Sequence, residues 1–234
     1  MPSILYEDAS ILVINKPSGL LTHPRNEQDK RESVASWLAT TYPGAVFAHR
    51  LDKDTSGVLL IAKTPEALAY YREIFHDRKI QKTYIALVYG TVKNDKGTID
   101  APLFKFGTRQ SMRPPRDLPA QAGGKTLERT ALTEYKVLER YKLSAISYTL
   151  LEVMPKTGRT HQIRIHLRSI GNPIVCDPIY AEKSRICPPD LGRLFLHAQK
   201  LSFTNMQGQA MTLEADMPPE LEKFLETVRP AYEV

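Results

Sequence analysis

The residues with the most chemistry in them fall in two short stretches. The first is His49-Arg50-Leu51-Asp52-Lys53-Asp54-Thr55-Ser56-Gly57, which runs straight into the apolar, β-branched Val58–Ala62. A polar turn feeding a buried strand is a stiff mount for a reactive side chain. The same residues also make an ordinary turn, in which Asp52 and Ser56 satisfy backbone amides. The second stretch is Lys156-Thr157-Gly158-Arg159-Thr160-His161-Gln162-Ile163-Arg164-Ile165-His166-Leu167. As a helix it lines up His161, Arg164 and Arg168 at i, i+3 and i+7. Such a face is a solvated basic surface or, where it is buried, a place for Arg164 to pair with a carboxylate. A neighbouring guanidinium keeps a buried acid ionised, the state a nucleophilic aspartate needs.

Other chemistries lack their residues. Gly123-Gly124-Lys125-Thr126 ends like a phosphate-binding loop, but Pro119 stands where the first glycine is required and no apolar strand precedes it. Asp52-x-Asp54-x-Ser56-Gly57 opens like a calcium loop, yet its twelfth position is Lys63 where a bidentate glutamate belongs. His161 and His166 are spaced five apart, off a common helix face, and His23, His49, His76 and His197 show no metal spacing with the cysteines. No metal is expected. Cys176 and Cys187 are too few for a disulfide-built secreted fold; a single bridge is open to them, and buried free thiols are the expectation. The start of the chain has no basic segment ahead of an apolar one, so no signal peptide and a cytoplasmic location are expected.

The elements that must position these residues are legible from pattern. Ile11–Asn15 reads as a strand ending in the turn Lys16-Pro17-Ser18-Gly19. Ser33 is placed to cap a short helix with Val34, Trp37 and Leu38 on one face. Thr64-Pro65-Glu66 is an N-cap, a first-turn proline and an acid, opening a helix with Leu68, Tyr71 and Phe75 at helical spacing. Thr83–Tyr89, Ala131–Leu138 and Ile146–Met154 read as strands. Thr160–Ile170 reads as a helix stopped by Gly171. A last helix from Pro219 carries Leu221, Phe224, Leu225 and Val228. Between Lys105 and Thr126 the pattern stops, and Pro114, Pro115, Pro119 and Gly123-Gly124 predict a long basic loop (105–127), of the kind that is usually functional. Helices and strands mix without βαβ alternation, so the fold class is α+β, with a mixed, mostly antiparallel sheet flanked by helices.

The 234 residues fit one large domain or two small ones; they are read as a single catalytic-sized unit spanning 1–234. With 42% hydrophobic and 25% charged residues, the chain is neither disordered nor fibrous. No apolar run approaches a membrane span. The net charge is +6, and its distribution matters more than its size. Lys105, Arg109, Arg113, Arg116, Lys125 and Arg129 face only Asp117 and Glu128, and Lys156–Arg168 holds no acid, whereas acids outnumber bases from Glu214 onward. A localised basic surface suits a polyanion.

Taken together, the two stretches resemble a family. His49–Gly57 matches the HRLDxxTSG signature of pseudouridine synthases, and Asn15–Gly19 matches the family's early NKPxG turn. Gln81-Lys82-Thr83-Tyr84 is similar to its QKxY element, Lys156–Leu167 to its GRxHQxRxH segment, and Leu194-Phe195-Leu196-His197-Ala198 to its late LxLHA strand. Order and spacing resemble the RluA branch, from about Ile4 to Met217.

The resemblance implies the fold, with two lobes and the active-site cleft between them. It also implies a reaction without cofactor, in which the glycosidic bond of a uridine in RNA is broken, the uracil turned and rejoined through C5. Asp52 is then the catalytic aspartate, attacking C6 of the base or C1′ of the ribose. Tyr84 takes the tyrosine position that packs on the base, Arg164 the basic position that ion-pairs with the aspartate, and Leu196 the apolar position lining the pocket. Arg50 would fill the gap left by the extruded base, and Arg159 and Arg168 would hold phosphate. RluA relatives often carry an N-terminal S4-type RNA-binding domain, whereas here the similarity begins at the start of the chain, so a small stem-loop target is expected, with ribosomal, transfer and messenger RNA all open; a monomer is the default expectation. Two other classes compete. A non-catalytic RNA-binding protein would not need Asp52, Tyr84 and Arg164 together. A carboxylate hydrolase would need a second acid, for which only Asp54 is near.

Overall fold

The computed structural model describes residues 1–24, 26, 28–106, 109–111, 127–143, 145–182 and 187–228. In chain order the elements are β1 (Ser3–Glu7), β2 (Ile11–Lys16), α1 (Val34–Thr41), β3 (Val46–Phe47), β4 (Ser56–Ala62), α2 (Pro65–His76) and β5 (Gln81–Tyr89). There follow β6 (Lys96–Asp100), β7 (Leu103–Phe106), β8 (Arg109–Ser111), β9 (Leu127–Arg129), β10 (Leu132–Leu143), β11 (Ile146–Pro155) and α3 (Gln162–Ser169). The chain continues through β12 (Leu196–Thr204), β13 (Ala210–Glu214) and α4 (Pro219–Val228). This is an α+β fold with a mixed, mostly antiparallel sheet. It divides into two compact units, the first from Met1–Ile85 with Arg193–Lys223, the second from Ala86–Gly192 with Phe224–Val234.

In the first unit the strands run β1-β2-β4-β12, with β13 on β12 and β3 on β4. All these pairings are antiparallel except β4 with β12. Side chains alternate between faces along a strand, and here both faces are covered. Ile11, Val13, Val58 and Leu60 pack on Ala67, Tyr71 and Ile74 of α2. Leu12, Ile14, Leu59 and Ile61 pack on Val34 and Leu38 of α1, with Phe47 and Leu51. Double-sided burial is why β2 and β4 read as unbroken apolar runs. Ser33 caps α1 in a reciprocal capping box with Ser36, and Thr64 caps α2 with Pro65 in its first turn. The residues of α2 that bury fully are Ala67, Tyr71 and Ile74, while Leu68 and Phe75 cover the cluster's edge.

In the second unit β10 pairs antiparallel with β11 on one side and β6 on the other. The Tyr135 ring lies over Gly97, its partner in register, where any Cβ would overlap it. A small sheet has the order β8-β7-β9. It corrects the expectation of a structureless stretch beginning at Lys105. Leu103–Phe106 forms a hairpin with Arg109–Ser111 and takes Leu127–Arg129 on its other edge. The rest of that expected loop, 107–108 and 112–126, lies outside the described residues.

A second correction concerns the thiols. Cys176 and Cys187 are joined in a disulfide, their Cα atoms 4.6 Å apart, rather than packing as free thiols. Cys176 adopts a left-handed backbone (φ 58°). A separation of eleven residues carries no signal of that local reversal, which is why the sequence leaves the bridge open. Among the described residues no helix is long and apolar enough to cross a membrane.

Candidate active site

Asp52 lies on the loop between β3 and β4, and that loop is held on both sides. Upstream, the Leu51 side chain is buried in the core under α1, and the Leu51 carbonyl accepts a 2.7 Å bond from the Thr22 hydroxyl. Downstream, the Lys53 carbonyl accepts from Lys16 Nζ (2.9 Å) and from the Gly19 amide (3.0 Å). The Ser18 hydroxyl donates to the Asp54 carbonyl at 2.7 Å. The loop closes on itself where the Thr55 amide meets the Asp52 carbonyl, 3.2 Å. The segment Lys16–Thr22 therefore grips the backbone on either side of the aspartate, with Gly19 at a positive φ (82°) that glycine adopts without strain. Asp52 itself is half-buried, and Arg50 is exposed.

Lys16 is fully buried. Its ammonium donates to the carbonyls of Pro17, Leu20 and Lys53 at 2.8, 2.8 and 2.9 Å, one for each of its three N–H groups. Burial pushes its pKa down to about 7, with Asp54 and Asp52 opposing the shift and Arg193 adding to it. Neither a catalytic nor a phosphate-binding role is assigned to this lysine by the sequence. Its signal was there, a cation at the end of an apolar strand with no acid beside it.

The loop leaves through β4, whose start is pinned by a chain of polar contacts. Arg193 Nη2 donates to Ser56 Oγ (2.7 Å), and Ser56 donates to His197 Nδ1 (2.9 Å). His197 Nε2 donates to the Ala215 carbonyl, 3.0 Å, which sets this tautomer. Burial lowers the His197 pKa and keeps the ring neutral. Next along β4, Gly57 pairs with Lys16 on one side and Ala198 on the other, and a Cβ there would overlap the Ala198 backbone. Leu196, 3% exposed, starts β12 next to this network.

His49 is stacked on Phe75 with ring centroids 4.4 Å apart and accepts the Leu60 amide at Nε2. Burial, with the Lys82 charge, pushes its pKa down to about 3, so the signature histidine is a neutral anchor of the loop. Tyr84 packs against the cluster that contains Leu51. Burial, and then the Asp52 charge, raise its pKa well above the usual phenol value. It is a phenol at neutral pH and a poor base, which favours packing over proton transfer.

Arg164, Arg159 and Arg168 belong to the second unit. Of the two readings open for this helix, solvated basic face or buried Arg164 paired with a carboxylate, α3 presents the buried one, since Gln162 through Leu167 are all buried. Arg164 makes a fork-to-fork pair with Asp177, Nε to Oδ2 and Nη2 to Oδ1, each 2.7 Å. The Tyr180 ring lies against the guanidinium, 5.2 Å from centroid to Cζ, and the Tyr180 hydroxyl bonds His161 Nδ1 at 2.9 Å. Gln162 accepts from Thr157 and the Arg159 amide and donates to Leu132 and Thr133. His166 links Thr133 to the Ala101 carbonyl. Arg168 is exposed, and Arg159 is half-buried with Nε on the Thr130 carbonyl. Asp177 was missed in the sequence. Its signal was a lone carboxylate in the otherwise apolar run Pro173–Ile179.

Comparison with known proteins bears on this geometry. The sequence profile of the RNA pseudouridylate synthases matches residues 10–169. Ribosomal large subunit pseudouridine synthase C of Vibrio vulnificus is 36% identical over 97% of this chain and 69% of its own length. The Escherichia coli protein of that name is 39% identical over 97% of this chain and 70% of its own. Among solved structures, human RNA pseudouridylate synthase domain containing 4 superposes with a TM-score of 0.75 at 26% identity, over 97% of this chain and 92% of that one.

Proposed function

The chain belongs to the RNA pseudouridylate synthase family and is an RNA isomerase, and we propose that it acts on uridines of large-subunit ribosomal RNA with Asp52 as its nucleophile. The observation that carries the choice of Asp52 is the grip on its loop. A nucleophile must be held to a fraction of an ångström, and Asp52 is the carboxylate whose flanking carbonyls, Leu51 and Lys53, are both tied to the Lys16–Thr22 segment.

In the proposed reaction a carboxylate oxygen of Asp52 forms a bond to C6 of the uracil or to C1′ of the ribose. The N1–C1′ bond breaks, the ring turns and C5 bonds to C1′; the bond to the Asp52 oxygen breaks and returns the carboxylate, and the hydrogen on C5 leaves as a proton while N1 takes one up. Arg164 would ion-pair with Asp52 and keep it ionised. Tyr84, as a phenol, would pack on the uracil, and Leu196 would line its pocket. The target base lies inside a stem and must be flipped out, at a cost of a few kcal/mol. Arg50, exposed beside the nucleophile, would fill the gap, with Arg159 and Arg168 on phosphates. No step needs a cofactor. The ribosomal target rests on the names of the relatives, with a transfer RNA stem-loop as the second substrate to test. The enzyme is proposed to work as a cytoplasmic monomer, where thiol reductants oppose the Cys176–Cys187 bridge.

RNA carrying tritium at uridine C5 tests the reading. The wild-type protein should release tritium to water, and Asp52→Ala should release none while binding the same RNA in a gel shift. Equal release by both proteins would remove Asp52 from the mechanism. Binding without release by the wild type on either RNA class would favour a binding protein.

A further inference from the structure

We propose that His23 is an RNA-binding residue, its ring stacking on an unpaired base beside the flipped uridine, next to Arg50. The inference rests on the roles given above to Asp52 and Arg50 and adds a contact that the same loop region presents.

His23, Arg50 and Asp52 belong to one compact unit. The Thr22 hydroxyl donates to the Leu51 carbonyl at 2.7 Å, and these two residues are only 2% and 4% exposed. Their chain neighbours His23 and Arg50 are both exposed. The buried bond thus brings two flat, solvent-facing groups, an imidazole and a guanidinium, to the same place, and Arg50 stands two residues before Asp52. That they are near shows in their electrostatics. Burial, and then the Arg50 charge, lower the His23 pKa, so the ring is neutral at neutral pH.

The ring is also held in advance. The carbonyls of Leu21 and Thr22 accept the Val34 and Ala35 amides of α1 at 2.8 and 3.1 Å, which fixes the chain leading into His23. Pro24 follows, and a residue before proline has less backbone freedom. The imidazole meets Phe47 of β3 edge to face, with ring centroids 4.3 Å apart, and Phe47 packs in the same core cluster as Leu51. Much of the cost of ordering this side chain is therefore met before RNA arrives.

Unpaired bases are recognised by stacking on aromatic rings and guanidinium planes. A flipped uridine leaves its neighbour with one face unstacked. With Arg50 in the vacated gap, a ring beside Arg50 is placed for a base that adjoins it. A neutral imidazole offers a π face and no net charge for a phosphate. A ring that merely covers Phe47 contributes to stability and not to RNA affinity, so the two roles part by measurement.

The test compares wild type with His23→Ala, which removes the ring, and His23→Phe, which keeps a ring without its nitrogens. Thermal unfolding by circular dichroism establishes that each is folded, and His23→Gln takes the place of His23→Ala if that variant is not. Fragments of large-subunit ribosomal RNA and transfer RNA are titrated by gel shift at several salt concentrations. His23→Ala should weaken binding to the substrate RNA by roughly 5- to 150-fold, the worth of one base–aromatic stack. The salt slope should stay as in wild type, because no phosphate contact is lost. His23→Phe should return the affinity to within about threefold of wild type. Single-turnover tritium release at saturating RNA should fall by less than the affinity does. A loss of affinity below fivefold in His23→Ala would overturn the inference. So would a salt slope reduced by about 1, which marks a phosphate contact, or His23→Phe as weak as His23→Ala, which marks a role for the ring nitrogens. The same titrations in an Asp52→Ala background separate the two levels. Active Asp52→Ala sinks the underlying assignment, whereas inactive Asp52→Ala with RNA affinity indifferent to His23 sinks the stacking role only.

Discussion

A buried lysine whose three N–H groups all go to backbone carbonyls is doing the work of a linchpin, and Lys16 does so at the loop that carries Asp52. Lys16→Met keeps the length and removes the donors, leaving the Pro17 and Leu20 carbonyls without the ammonium. We expect a destabilisation of about 3 kcal/mol in urea, since bonds to charged donors are worth roughly 1.5–3 kcal/mol each and relief of the buried charge returns part of that. Tritium release should fall further than the loss of folded protein explains, because the Lys53 carbonyl keeps only the Gly19 amide. A variant as stable and active as wild type would remove Lys16 from the account. The second residue-scale prediction concerns acid. Burial alone would raise the Asp177 pKa, but the Arg164 bonds and charge, with the Ile179 and Tyr180 amides, outweigh it and leave the pKa below the ordinary carboxylate value. A carboxyl depressed in the fold contributes stability that is complete above its unfolded pKa, about 3.9, and is lost as pH falls through the folded value. Urea midpoints measured below pH 4 should therefore drop more steeply for wild type than for Asp177→Asn. Parallel curves would mean that the pair is not ionised in the fold.

At the scale of elements, the parallel register of β4 on β12 depends on a missing Cβ. Gly57 has φ 116° and lies against the Ala198 backbone, so Gly57→Ala meets both an unfavourable backbone and an immovable neighbour. A loss above about 3 kcal/mol is expected, from strain of 1–3 kcal/mol plus overpacking of similar size, read as insoluble expression or a collapsed denaturation midpoint. The elements most legible in the sequence were those whose own residues set them. Double-sided burial wrote β2 and β4 as apolar runs, Ser33 and Thr64 announced their helices, and the signature around Asp52 marked the loop. What was not legible depends on partners remote in sequence. Arg164 was read as either solvated or paired with Asp52, and nothing local to α3 points to Asp177, which the turn after Pro173 brings back to it. β1 and β6 are short strands of mixed polarity, and β7–β9 pair across a segment whose prolines hide them. The Cys176–Cys187 bridge belongs to the same class. It closes a loop of about the size worth roughly 3 kcal/mol, so adding dithiothreitol to the oxidised protein should lower the melting temperature by several degrees. Cys187→Ser should melt at the reduced value with or without it. A reductant-independent wild type would show that the bridge stabilises nothing.

For the molecule as a whole, charge decides how it meets RNA. The chain carries 32 lysines and arginines against 26 acids, an excess too small to bind a polyanion by net charge alone, so the placement of individual cations has to supply the affinity. Each phosphate neutralised releases condensed counterions, and the logarithm of the binding constant then falls with the logarithm of salt at roughly 0.7–0.9 per contact. Arg168 is exposed at the end of α3 and Arg159 precedes the same helix, whereas Arg164 is internally committed. The three arginines of one basic segment should therefore separate by experiment. Arg168→Ala and Arg159→Ala should each weaken RNA binding by a similar factor on every sequence and reduce the salt slope by about 1, while the chemical step measured at saturating RNA holds. Arg164→Met should do the reverse, with the salt slope retained and the chemical step lost. Large-subunit ribosomal RNA fragments and transfer RNA, titrated in parallel, give the comparison its control. A phosphate contact weakens both alike, whereas a loss confined to one RNA would make Arg159 or Arg168 a reader of shape rather than a holder of phosphate.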